Sequence, residues 1–109
     1  MAWLLRDGEV LASVEVASSL MARSRGLLGK KSLEGALLLG HTRSVHTVGM
    51  RFAIDVAFLT DDLRVIATRT LGRNRIALPR RGGRCVLEAE AGAFARWQLV
   101  AGDQLEIKG

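Results

Sequence analysis

One stretch of the chain, from Phe52 to Phe58, is apolar at every position except one. Alternate residues of a strand point to opposite faces, and here both faces are apolar, which is typical of a strand covered on both sides. Asp55 is the only ionisable residue in this stretch. A carboxylate that leaves water must gain hydrogen bonds or an ion pair, because a bare buried charge costs several kcal/mol. The stretch therefore predicts a core strand in which Asp55 is bonded to groups inside the fold.

Two interpretations of Asp55 stay open. In the first, which we favour, the carboxylate is structural and holds a neighbouring loop or an arginine in place. The candidate partners are Thr47, Arg51 and Arg25, and Arg25 could also reach Glu88 in a buried ion pair that locks a helix to the sheet. In the second interpretation Asp55 lies in a pocket, where it would bind a ligand together with Arg25 and Thr47.

Strand and turn signals recur along the whole chain. Asp7-Gly8 is typical of a tight hairpin turn. The arm that follows places Val10, Ala12, Val14 and Val16 on one face, which predicts a half-buried strand. The predicted strands are Trp3–Arg6, Glu9–Val16, Ala36–Leu39, Phe52–Thr60, Arg64–Thr70, Cys85–Glu90 and Gln104–Lys108.

Helical signals are fewer than strand signals. Ser18-Ser19 offers an N-cap before a short amphipathic pattern, which predicts the main helix at about residues 18–28. A second, shorter helix is possible at about residues 91–98. The 109 residues are enough for one domain and too few for two ordinary ones. We therefore expect a single β-rich α+β domain spanning 1–109, with a curved antiparallel or mixed sheet or a partial barrel.

The net charge of +5 comes from one segment. From Leu63 to Leu87 there are seven arginines and no acid, whereas the rest of the chain is slightly acidic. Guanidinium groups and free amides around Gly82-Gly83 could bind an anion, with Arg80, Arg81 and Arg84 as the candidate residues. No aromatic residue lies between Arg64 and Arg84 to stack on bases, so nucleic-acid binding is disfavoured and a solvated loop is the simpler interpretation.

Few residues could carry catalysis. Asp55, His46 and Glu88 are the candidates, because two carboxylates in different environments can divide acid and base roles. Cys85 lies in a strand with an apolar face, where a thiol is ordinarily buried and inert. The two histidines and one cysteine show no metal-ligand spacing, so we expect neither a metal site nor a cofactor. Whether the protein is an enzyme stays open, with a non-catalytic role favoured.

Four runs of sequence resemble a known family. These are Arg23–Gly29, His46–Leu59, Val86–Gly92 and Ala101–Asp103, and the stretch over which they match in order and spacing extends over most of the chain. They are similar to the family called domain of unknown function 192, also catalogued as uncharacterised protein family 0127. The His46-Thr47 version replaces the family's more frequent Trp-Met-Lys-Asn-Thr run and indicates a variant branch. The resemblance implies a small bacterial or archaeal β-rich α+β domain with no established activity.

The expectations for function follow from these observations. We expect a non-catalytic binding or accessory module for a protein or small-molecule partner, with an enzyme using Asp55 and His46 and an anion-binding or nucleic-acid-binding domain using 64–84 as alternatives. Residues 1–8 lack the features of a signal peptide, and no apolar run is long enough for membrane insertion. We therefore expect a water-soluble, cytoplasmic monomer, although the resemblance implies that many relatives are exported.

Overall fold

Strands dominate the structure, a computed structural model that describes residues 2–17 and 31–109. The strands are β1 (Ala2–Arg6), β2 (Glu9–Ala17), β3 (Ala36–Leu39), β4 (Val45–His46), β5 (Ile54–Leu59), β6 (Val65–Leu71), β7 (Ile76–Ala77), β8 (Cys85–Glu90) and β9 (Leu105–Lys108). One short helix, α1, spans Ala93–Trp97 within the described ranges and agrees with the second helix expected from the sequence. The helix expected at about 18–28 lies outside the described residues. No described helix has the length and apolarity needed to span a membrane.

Seven strands form one curled sheet in the order β6-β5-β8-β3-β2-β1-β9. Every neighbouring pair is antiparallel except β2 and β3, which are parallel. The curl brings the two outer strands together at one end, where Val65 N–H donates to the carbonyl of Asp103 at 2.8 Å and Leu105 N–H to that of Leu63 at 3.0 Å. The sheet is therefore a half-barrel, which confirms the expected β-rich α+β fold with a curved mixed sheet.

The sheet carries a hydrophobic cluster on each face. One cluster includes Ala57, Leu87 and Phe94, so α1 packs on this face, which we call the helix face. The other cluster includes Val56, Phe58 and Val86, and we call its side the opposite face. All six residues of β5 are buried, as the sequence predicted for a strand covered on both sides.

The predicted inward face of β2 is only partly correct. Val14 is buried, but Val10 is 52% exposed and Val16 60% exposed. The pairing of β1 with β2 shifts between Leu4 and Leu5, which leaves Leu11 as an extra residue in β2. A bulge between Val10 and Val14 changes which of the two faces the core, and it is not visible in an alternating sequence pattern.

A second, two-stranded sheet is formed by β4 and β7, and it contributes Val45 and Ala77 to the cluster on the opposite face. Thr47, which follows β4 directly, is fully buried. Its hydroxyl donates to the carbonyl of Gly72 at 2.5 Å and accepts from Arg75 N–H at 2.9 Å. Its own N–H donates to the carbonyl of Arg75 at 2.9 Å. Thr47 therefore fastens the loop after β4 to the arginine-rich segment, rather than reaching Asp55.

A tight turn at residues 60–64 connects β5 to β6. The hydroxyl of Thr60 donates to the carboxylate of Asp62 and accepts from Arg64 N–H at 3.1 Å. The bond from Thr60 holds the pKa of Asp62 below its ordinary value of 3.8, because it stabilises the charged carboxylate.

We expect Thr47→Val to lower the free energy of unfolding by about 1–3 kcal/mol, because the methyl group keeps the volume while the Gly72 carbonyl and the Arg75 N–H lose the buried hydroxyl as their partner. Chemical denaturation of the variant measures this loss. Thr42→Val is the matched control, since the hydroxyl of Thr42 is only partly buried and donates to one carbonyl, that of Gly40. Equal losses in the two variants would contradict the role assigned to Thr47.

We expect Asp62→Asn to destabilise the protein at neutral pH and to have no effect in acid. A carboxylate with a lowered folded-state pKa stabilises the fold above its unfolded pKa, and this stabilisation is lost as the pH falls through the folded value. Denaturation curves at about pH 7 and about pH 2, on either side of the reference pKa of aspartate, test the prediction. Asp61→Asn is the control on the adjacent exposed acid. A difference between wild type and Asp62→Asn that persists at the lower pH would refute the assignment.

Candidate binding cleft around Asp55

Asp55 lies in β5, beside the edge strand β6, and is 3% exposed. One carboxylate oxygen accepts a hydrogen bond from the Thr70 hydroxyl of the neighbouring strand β6, at 2.7 Å. The other oxygen accepts from two backbone N–H groups, those of Gly92 at 3.0 Å and Phe94 at 3.1 Å. A single side chain thus bonds β5 to β6 and to the start of α1.

The start of α1 explains why it needs Asp55. The residue at the N-cap is Gly92, which has no side chain to accept from the first free N–H groups of the helix. Its φ of 97° lies in the left-handed region, where glycine is unstrained. Asp55 takes the place of the missing capping side chain from a strand far away in sequence. The negative charge also lies at the positive end of the helix dipole.

The other end of α1 is held by a cation from β1. Arg6 donates to the carbonyl of Trp97 at 2.6 Å and to that of Gln98 at 3.3 Å. The same guanidinium forms an ion pair with Asp103 at 3.0 Å. Cations are favourable at helix C-termini, so the short helix lies between an anion and a cation that both come from the sheet.

The partners of Asp55 differ from those predicted for it. Thr47 bonds to the arginine-rich segment, and Asp55 accepts from Thr70, Gly92 and Phe94 in place of Thr47 or Arg51. The favoured interpretation, a structural carboxylate that holds a neighbouring loop, describes this geometry, but the loop is the one before α1. Arg25 lies outside the described residues.

The two candidate carboxylates point to opposite faces of the sheet. Asp55 pairs with Ala89 and bonds to α1 on the helix face. Glu88 is adjacent to Ala89 in β8 and pairs with Val56, so its side chain points to the opposite face, where it is fully buried. The sheet therefore separates the side chain of Asp55 from that of Glu88.

His46 is not brought to Asp55 either. It lies in the two-stranded sheet, which packs on the opposite face through Val45. Its Nδ1 accepts from Val48 N–H at 3.2 Å, a local bond within the loop. The set of Asp55, His46 and Glu88 is thus divided by the main sheet. Within residues 2–17 and 31–109, no three histidine, cysteine or acidic side chains converge in a metal-binding arrangement.

The arginine candidates have different surroundings. The guanidinium carbon of Arg80 lies 5.7 Å from the ring centroid of Phe58, a cation–π contact that covers the core. Arg81 and Arg84 are exposed, and Gly83 N–H donates to the carbonyl of Arg80 in a tight turn at 2.9 Å. Arg80 therefore has a structural role that its position in a charged run did not indicate.

A cleft of about 430 Å³ opens beside Asp55, between β6 and α1. Its volume is in the range of ligand-binding clefts. The floor of the cleft is apolar and is formed by α1 and the segment after it. Its rim is polar and is formed by β6. The lining residues are Asp55, Thr68, Arg69, Thr70, Gly92, Phe94, Ala95, Gln98, Leu99 and Val100.

Sequence reasoning found Asp55 but missed the cleft. The missing cap of α1 could have been noticed, because Ala91-Gly92-Ala93 offers no capping side chain before a helical pattern. Thr70 and Gln98 gave no comparable signal, since their proximity depends on the strand register and on the left-handed turn that ends α1 at Gln98.

We expect Asp55→Ala to lower the free energy of unfolding by about 2–4 kcal/mol, because it leaves the buried N–H of Phe94, the N–H of Gly92 and the Thr70 hydroxyl without their acceptor. Asp55→Asn should cost only about 1–2 kcal/mol, since its amide oxygen can accept from both N–H groups while its NH₂ donates to Thr70. Denaturation of both variants, with Asp61→Ala as the exposed control, measures the ranking. A similar loss in the Ala and Asn variants would show that charge, and not acceptor geometry, dominates.

Two solved structures share this fold. A protein of unknown function from Novosphingobium aromaticivorans DSM 12444 has a TM-score of 0.75 and 17% identity, covering 96% of this chain and 82% of that one. A protein from Sinorhizobium meliloti 1021, described as a "putative transcription regulator", has a TM-score of 0.76 and 22% identity, covering 96% and 90%. A comparison with curated protein sequences finds no match. The family model of domain of unknown function 192, described as "Uncharacterized ACR", matches residues 2–107. The chain belongs to the family of domain of unknown function 192.

Proposed function

We propose that the protein is a non-catalytic binding module that takes an extended peptide segment of a partner protein into the cleft beside β6. The observation that carries the proposal is the cleft itself, which runs along the outer edge of a sheet and has an apolar floor.

The outer edge of β6 can accept a further strand. Within the described ranges, β6 pairs with β5 on one side, and only its beginning meets the segment before β9 on the other. From Ile66 to Leu71 no other described strand pairs with this outer side. An unpaired edge presents alternating N–H and carbonyl groups, which is the surface that peptides use when they extend a sheet.

The floor and rim of the cleft suit side chains of an added strand. Phe94 and Leu99 supply a nearly buried apolar floor, while Val100 is 58% exposed at its margin. Thr68 and Thr70 are exposed on the rim. The Thr68 hydroxyl can donate or accept a hydrogen bond, and the Thr70 hydroxyl, which donates to Asp55, can accept one. Apolar pockets beside a strand edge select alternate side chains of the bound segment, and the edge supplies affinity through backbone bonds.

The hydrogen bonds of Asp55 and its separation from the other candidate catalytic groups favour binding over catalysis. Three of the roughly four lone-pair sites of its carboxylate accept hydrogen bonds from the protein. Glu88 and His46, the other candidate catalytic groups, are on the other side of the sheet. Asp55 therefore supports the cleft wall. An enzyme that used Asp55 would lack His46 and Glu88 as partner groups in the cleft.

The cleft can be blocked without disturbing the core. Ala95 is exposed and lines the cleft, so Ala95→Trp should fill it, while Ala91→Trp places the same ring at an exposed position outside it. Peptides selected from a random displayed library on the wild-type protein should bind Ala91→Trp unchanged and bind Ala95→Trp at least about tenfold more weakly. Fluorescence anisotropy with the selected peptides measures both affinities.

Hydrogen exchange supplies an independent readout. A bound strand should slow amide exchange in 66–71, because outward N–H groups become bonded. Selected peptides that bind Ala95→Trp as tightly as wild type, or that leave exchange in 66–71 unchanged, would refute the site. A library that yields no binder to the folded protein would refute the peptide module.

A further inference from the structure

We infer that a second surface, on the other side of the sheet from the cleft, docks the protein onto anionic membranes. The surface consists of three exposed aliphatic residues, Val48, Ile76 and Leu78, and three exposed arginines, Arg51, Arg73 and Arg75. We call it the basic tip. It belongs to the two-stranded sheet and its adjoining loops, and it shares no residue with the cleft.

The aliphatic residues of the basic tip are unusually exposed for their type. Val48 is 53% exposed, Ile76 61% and Leu78 71%. Ile76 pairs with His46, and Val48 follows two residues later, so two short segments present these side chains together. Single exposed aliphatic residues are ordinary, whereas several on one protruding element mark a surface that contacts an apolar phase or a partner.

The arginines lie on the same two segments. Asn74 N–H donates to the carbonyl of Thr47 at 3.2 Å and its side-chain oxygen accepts from Gly49 N–H at 3.1 Å, which places Arg73 and Arg75 beside the Val48 loop. None of Arg51, Arg73 and Arg75 forms an ion pair with another described residue. No acidic residue occurs in 41–54 or in 63–87. The positive charge of the basic tip is therefore not neutralised by neighbouring described acids.

Loops with this composition match the boundary between lipid headgroups and acyl chains. Aliphatic side chains enter the apolar layer to a shallow depth, and arginines at the same level bind anionic headgroups. The basic tip has no aromatic residue to stack on bases, which disfavours single-stranded nucleic acid, and its aliphatic side chains have no role against a phosphate backbone. Charge complementarity together with exposed aliphatic tips favours an anionic membrane surface.

Vesicle flotation of the full chain tests the inference. Vesicles of phosphatidylcholine with one quarter phosphatidylglycerol should bind the protein at least about tenfold more strongly than pure phosphatidylcholine vesicles at low ionic strength. The variant Val48→Ser/Ile76→Ser/Leu78→Ser and the variant Arg51→Gln/Arg73→Gln/Arg75→Gln should each weaken binding about tenfold. All six positions are exposed, and thermal unfolding confirms that the variants fold.

Two control variants match these changes elsewhere on the surface. Val10→Ser/Val16→Ser removes exposed aliphatic residues of β2, and Arg64→Gln/Arg96→Gln/Lys108→Gln removes the same number of charges from the flank of β6, from α1 and from β9. Both should bind the anionic vesicles within about twofold of wild type, apart from the general effect of net charge. Equal losses in the tip and control variants would overturn the inference, as would equal binding to neutral and anionic vesicles.

Binding to DNA is measured for comparison, because a phosphate backbone is the other source of negative charge that the arginines could bind. Anisotropy with a labelled DNA duplex at the same ionic strength should show weaker binding than that of the anionic vesicles, and the serine variant should leave DNA binding unchanged. Tighter binding to the duplex than to the vesicles would assign the basic tip to a phosphate backbone and overturn the membrane inference. Failure of either arm leaves the cleft proposal untouched, because the cleft variants do not alter the tip.

Discussion

The carboxylate of Asp55 is the interaction on which the described architecture depends most. Through three hydrogen bonds it connects a core strand, an edge strand and the first turn of the only helix in the described residues. An isolated helix as short as α1 is unstable in water, so its place on the sheet must come from contacts made by other elements. Asp55 and Arg6 supply those contacts at its two ends, and Phe94 supplies the apolar contact between them.

The same constraint produces the cleft. Because α1 is fixed at its start by Asp55 and at its end by Arg6, it lies against the helix face at the edge of the half-barrel and leaves a gap beside β6. The wall on the β6 side is fixed as well, since the Thr70 hydroxyl is bonded to Asp55. A preformed wall lowers the conformational cost of binding, and a rigid carboxylate that serves only the fold is compatible with a site that binds without reacting.

How far the sequence predicts this structure depends on the distance over which each contact acts. Alternation and turn residues predicted the seven strands of the main sheet and the burial of Asp55, because these are local properties of the chain, but they did not predict β4 and β7. The partners of Asp55 were not predictable in the same way, since Phe94 lies 39 residues later and reaches Asp55 only through the sheet order. The opposite orientation of Glu88 has the same cause, because it follows from the β5–β8 register, which pairs Glu88 with Val56. The bulge at Leu11 shows that one extra residue also defeats a regular alternation.

The sheet order has a consequence for folding. β1 pairs with β9, so that Trp3 lies opposite Lys108 and the first described strand is completed by the last. The β1–β2 hairpin can form early because its turn is local. The edge of β1 that faces away from β2 stays without a partner until β9 is present. Loop closure over nearly the whole chain is an entropic cost that must be met before this pairing stabilises the sheet. The domain should therefore fold slowly for its size, and a nascent chain that stops before β9 should expose the hairpin edge to aggregation.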